Sequence, residues 1–147
     1  MADSMRAHGI RWTAALAACM FAALFHDAAA QTAATPARST RAGVYSAEQA
    51  DRGRDVYAGL CQSCHPAATH TGPAFNRSWG GRPLSDLFDY VRERMPKNEP
   101  GSLTPEEYAD VLAYLLRLNA MPAGAHELVP DSVTLRRIRI DTVGAKP

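Results

Sequence analysis

The sequence predicts a small all-α domain, and three observations carry that expectation. Three stretches place apolar residues at helical spacing behind recognisable caps. No stretch alternates with a period of two for long enough to make a convincing strand. The chain has 147 residues with aromatics at 7%, which supplies one modest core. A core of that size often needs a disulfide, a metal or a cofactor to complete it. The formal net charge of +1 leaves no concentrated basic face and argues against nucleic acid as a partner.

The N-terminus is expected to lie outside the fold. Arg6 and Arg11 precede the apolar run from Trp12 to Phe25, and small residues follow before Gln31. A basic start, a short apolar centre and a small-residue site make a secretory signal over 1–30, cleaved after Ala30. The run falls short of the roughly 20 residues that span a bilayer, so no permanent membrane span is expected. "LAAC", ending at Cys19, resembles a lipoprotein box, but the apolar run continues past Cys19 where such a box closes it. Export without lipid is the preferred reading, and the chain is expected to be periplasmic. Residues 31–43, polar and small with one proline, read as a flexible linker.

The first helix is expected over 46–59. Ser46 and Gln49 fit a capping box, and Ala50, Gly53, Tyr57 and Leu60 recur at helical spacing. A mid-helix glycine costs about 1 kcal/mol against alanine, which suggests that Gly53 marks a close approach of another element. Residues 66–83 are dense in glycine and proline and read as loop. A helix over 85–94 is expected to start with Ser85 as its N-cap and to stop before Pro96. The helix over 105–119 carries the strongest signal. Thr104 caps it, Pro105 opens it, Glu107 completes a capping box, and apolar residues cover most of its circumference. Such a helix must be largely buried. Residues 123–147 form a tail with a possible short helix capped by Asp131.

The chemistry is concentrated in "CQSCH", residues 61–65. With Cys19 in the expected signal, Cys61 and Cys64 are the whole thiol chemistry of the exported chain, and exported thiols are bridged, ligated or otherwise committed. Zinc would have to use Cys61, Cys64, His65 and His70, but finger sites separate their ligand pairs by a dozen or so residues. A thioredoxin-like pair sits at a helix start after a strand, whereas this motif follows a helix. A disulfide across three residues closes a tiny loop and gains little. C-x-x-C-H is, in contrast, the attachment signal of haem c. Two thioethers reach the two vinyl groups on one porphyrin edge, and the adjoining His65 offers a nitrogen to the iron. For the second axial position, His70 lies too close to His65 along the chain. Met95, thirty residues on at the end of a helix, is the preferred ligand and Met121 the runner-up. A thioether there favours ferrous iron and raises the potential.

From Val44 to Ala123 the chain resembles a class I, monohaem c-type cytochrome of bacterial type. "CQSCH", "TGPAF", "RMP", and a first helix with Gly53 and Tyr57 facing a last helix with Tyr114 carry the likeness. The resemblance implies a cytochrome c domain over 44–122, with three to five helices around one covalently bound haem c and the first and last helices crossing at the glycine. It also implies that the Pro73 carbonyl accepts a hydrogen bond from the His65 ring, and that Trp79 and Arg82 lie near a haem propionate. The function implied is electron transfer, not enzymatic turnover. One electron would pass between redox protein partners, such as a periplasmic dehydrogenase as donor and an oxidase or another cytochrome as acceptor. A subunit of a periplasmic dehydrogenase or of a haem enzyme, of thiosulfate-oxidising or peroxidase type, is the alternative.

Overall fold

The computed structural model describes residues 38–141; the expected signal segment over 1–30 and most of the expected linker lie outside them. The described residues form five α-helices and one two-stranded ribbon: β1 (Arg38–Ser39), α1 (Ala47–Leu60), α2 (Gly72–Trp79), α3 (Leu84–Arg94), α4 (Pro105–Leu118), α5 (Ser132–Leu135) and β2 (Ile138–Arg139). Short 3-10 turns occupy Thr40–Ala42 and Ala67–His70.

α1 and α4 are the frame. The Ser46 hydroxyl accepts the Gln49 amide at 3.1 Å and starts α1. Gln49 does not complete the expected box. Its side chain is buried, and it exchanges two hydrogen bonds with the Leu128 backbone at 2.7 and 3.0 Å. α4 has the full reciprocal box between Thr104 and Glu107, with Pro105 at its first position. The two helices touch where Gly53 meets the Asp110 backbone. A methyl group at Gly53 would lie 1.8 Å from the Asp110 carbonyl oxygen, so only glycine admits this crossing. The forked ion pair of Arg52 with Asp110, at 2.9 and 3.0 Å, clamps the same place. Tyr57 and Tyr114 meet one turn further along, with ring centroids 5.3 Å apart.

Three expectations are corrected. Residues 72–79, expected as loop, form α2: Pro73 sits in its first turn, and Phe75, Ser78 and Trp79 share one face before Gly80 stops it. Dense glycine and proline here punctuate a short helix instead of excluding one. α3 begins at Leu84, not after Ser85. Pro83 sits at the N-cap with its carbonyl accepting the Asp86 amide at 3.1 Å, which leaves Ser85 buried inside the first turn. Residues 38–43, the end of the expected linker, are folded, and Thr40 is fully buried.

The tail explains that last correction. β1 and β2 pair in parallel, Arg38 opposite Ile138. The Asp141 amide donates to the Thr40 hydroxyl at 3.0 Å. On the other side of the tail, the Ile140 amide donates to the Arg82 carbonyl and the Gly81 amide to the Ile140 carbonyl, at 2.9 and 2.8 Å. At the tail's start, Gly124 lies against Gly43, too close for a side chain, and donates to the Tyr45 carbonyl at 2.7 Å. Leu128, Leu135, Ile138 and Ile140 are all buried in one core with Leu84, Phe88, Leu112 and Leu116. α5 is capped as expected by Asp131, whose carboxylate accepts the Thr134 amide at 2.8 Å.

Candidate haem site

On the other flank of α4, helices α1, α2 and α3 surround a cavity of about 660 Å³. That size falls in the roughly 300–1,000 Å³ range of cofactor pockets. Cys61, Cys64, His65 and Met95 all line it, and its walls are mostly apolar: Phe75 and Trp79 from α2, Leu87 and Val91 from α3, Val111 and Leu115 from α4. Trp79 makes an edge contact with Tyr90, and the Arg82 guanidinium lies over the Trp79 ring at 5.0 Å. Arg82 itself is paired with Asp86 at 2.8 Å and does not line the cavity. Pro73 is exposed in the first turn of α2 and is likewise not among the lining residues. Met121 is buried in the larger core, where its carbonyl accepts the Tyr45 hydroxyl at 2.6 Å, and it is separate from the cavity lining.

The motif is placed by the end of α1. The Cys61 and Gln62 amides both donate to the Tyr57 carbonyl, and the His65 amide donates to the Cys61 carbonyl, each at 2.9 Å. The Cys61–His65 stretch thus coils over the helix end as a tight turn, and its two cysteines are not bridged to each other. The Tyr57 hydroxyl donates to the His65 carbonyl. Burial pushes the Tyr57 phenol up to about 12, with smaller contributions from Cys61 and Tyr114, so it remains a donor at neutral pH. Burial also raises the Cys61 thiol. His70 stands beside His65, ring centroids 5.1 Å apart, and burial together with that neighbour lowers its pKa.

Three positioning contacts had no local signal in the sequence. Asn119, at the end of α4, donates to the His70 carbonyl at 2.9 Å and accepts the Gly72 amide at 3.0 Å. It ties the segment after the motif to the frame. Tyr57 holds the His65 carbonyl, as described. Tyr108, from the second turn of α4, donates its hydroxyl to the Met95 carbonyl at 2.8 Å. Each joins residues that only the folded chain brings together.

The donor set fits haem better than a bare ion. Among the described residues no group of three or more His, Cys, Asp or Glu side chains is arranged to hold a metal. Two thiols, an imidazole and a thioether around an apolar slot suit a flat, largely hydrophobic ring with an iron at its centre. Residues 48–115 match the family model described as cytochrome C oxidase, cbb3-type, subunit III. This segment is a c-type cytochrome domain. No curated protein and no solved structure gave a significant match. The cytochrome domain spans the frame helices and the whole cavity wall up to Leu115, and the folded tail lies beyond the matched residues. Its chemistry is haem-based electron transfer. Among the described residues no helix is long and apolar enough to cross a membrane.

Proposed function

We propose that the protein is a periplasmic single-haem electron carrier, with one haem c attached through Cys61 and Cys64 and its iron ligated by His65 and Met95. The observation that carries this reading is the joint presence of those four side chains around one apolar cavity. Haem, when bound, supplies a one-electron couple at its iron. Cys61 and Cys64 anchor the ring, and the coiled turn sets the direction in which His65 presents its nitrogen. Phe75, Leu87, Val91, Val111 and Leu115 keep water away, which favours the less charged ferrous state. Leu60 and Tyr90 are half exposed where they line the cavity and offer an apolar contact to a redox partner. Export follows from the segment over 1–30; the mature chain would then begin at Gln31, which its intact mass checks.

The matched family favours a second reading, in which the cytochrome is a subunit of a larger oxidase. Isolation under mild conditions separates the two: a carrier is recovered alone, a subunit with its enzyme.

The ligand set is tested by two variants. Met95→Ala retains attached haem, lowers the potential and loses the weak sulfur-to-iron charge-transfer band of the ferric protein, whereas Met121→Ala keeps that band. The reverse pattern makes Met121 the ligand. Loss in neither variant points to nitrogen ligation or an open site, and so to the haem-enzyme alternative.

A further inference from the structure

His65 and Met95 differ in how the chain holds them. His65 adjoins Cys64, so a thioether at Cys64 pins it to the ring that it serves. Met95 has no such anchor. It lies at the exit of α3, its backbone already extended (φ −132°, ψ 147°), and its position depends on what grips that backbone.

Two helices grip it. The Met95 amide donates to the Val91 carbonyl at 2.9 Å, the last bond of α3. The Met95 carbonyl accepts the Tyr108 hydroxyl at 2.8 Å, and Tyr108 belongs to α4. The Tyr108 ring is almost fully buried, at 1% exposure, within the larger core beside Leu84, Phe88 and Leu112. A ring immobilised in this way presents its hydroxyl at a fixed point. The frame helix, which also supplies Val111 and Leu115 to the cavity wall, thus holds the backbone of Met95 through the Tyr108 side chain.

We propose that Tyr108 is a positioning residue for the Met95 sulfur, setting how firmly that ligand is held against displacement. The proposal rests on the reading of Met95 as ligand. Tyr57 makes the matching contact to the His65 carbonyl, but there the hydrogen bond duplicates a covalent constraint. The two tyrosines should thus be unequal in effect although alike in geometry.

The test compares the ferric holoproteins of Tyr108→Phe, Tyr57→Phe and Met95→Ala with the parent. Each is titrated upward in pH while the sulfur-to-iron band is followed, and each is mixed with imidazole as the displacing probe. Tyr108→Phe keeps the ring and loses the donor. Its band should disappear about one pH unit lower than in the parent, and imidazole should enter about tenfold faster, the scale expected for one lost hydrogen bond. Tyr57→Phe should stay within about twofold of the parent in imidazole entry, because the covalent constraint remains. If Tyr108→Phe only melts at a lower temperature, with band and imidazole entry unchanged, its role is structural and the proposal fails. A parent without the band, or Met95→Ala that retains it, defeats the ligand reading and the proposal with it. Tyr108→Leu, also donor-free, gives the same readouts should the Phe variant not fold.

Discussion

The two flanks of α4 are built on opposite terms. Toward α5, the tail and the Phe88 face of α3, side chains close over one another, and Tyr45, Phe88, Leu112, Leu116, Leu135 and Ile140 are at most 1% exposed. Toward the cysteine motif, Tyr57, Val111 and Leu115 form a smaller buried cluster, and the cavity opens beside them. One flank is finished by protein atoms and the other leaves room for a ring. A single helix can therefore serve as the wall of a complete core and as the floor of a cofactor site. The cavity keeps its shape because the finished flank holds the frame.

The severest way to break that arrangement is to stop the chain after Gly124. This removes Leu128, Leu135, Ile138 and Ile140, each worth about 1.5–3 kcal/mol in burial. Their sum rivals the roughly 5–15 kcal/mol that stabilises an ordinary domain. The truncated chain should lose cooperative unfolding by circular dichroism; an unchanged melt would show that the cavity flank stands alone. Gly53→Ala strikes the crossing that both flanks share. Forcing α1 away from the Asp110 carbonyl should cost about 2–3 kcal/mol in urea unfolding and reduce haem incorporation as well.

A finer probe is Gln49→Leu. It leaves the Leu128 amide and carbonyl buried without partners, at a cost of about 1–3 kcal/mol. Because Gln49 belongs to the finished flank, the visible spectrum of the haem should not change, and a shifted spectrum would mean that the flanks are coupled. The smallest effect is expected at Asp131, whose carboxyl is held below its ordinary value by the Thr134 side-chain and backbone hydrogen bonds. A depressed carboxyl stabilises the fold above its unfolded pKa near 3.8, and that contribution is lost as the pH falls through the lower folded value. Asp131→Asn should therefore lose a little stability at neutral pH, where the carboxylate contributes, and converge on the parent as the pH falls below about 4, so that the acid limb flattens.

These regions were also unequally legible. α1, α3 and α4 announce themselves because caps and apolar periods are local: Ser46, Thr104 and Pro105 act within one turn of where they stand. The cysteine motif was legible for the same reason, its chemistry being confined to five consecutive residues. α2 was missed because its glycines and proline outweigh a single buried Phe75. Gln49 was assigned to a local cap, but its amide is taken by Leu128, 79 positions away. Tyr108, Asn119 and the docked tail are likewise long-range facts. A hydroxyl that will meet a carbonyl on another helix looks like any other tyrosine in the sequence.

The pairing of Arg38 with Ile138, and of Thr40 with Asp141, has a consequence for how the molecule comes into being. The hydrogen bond between Thr40 and Asp141 joins residues 101 positions apart, so it closes a loop that contains nearly the whole domain. Closing so long a loop is entropically costly and slow. A chain is made from its N-terminus, and Cys61, Cys64, His65 and Met95 all emerge before the residues that seal the opposite flank. The cysteine motif is thus presented on a chain that cannot yet finish folding. The last dozen described residues act as a latch, thrown only after Cys61, Cys64, His65 and Met95 have all been made.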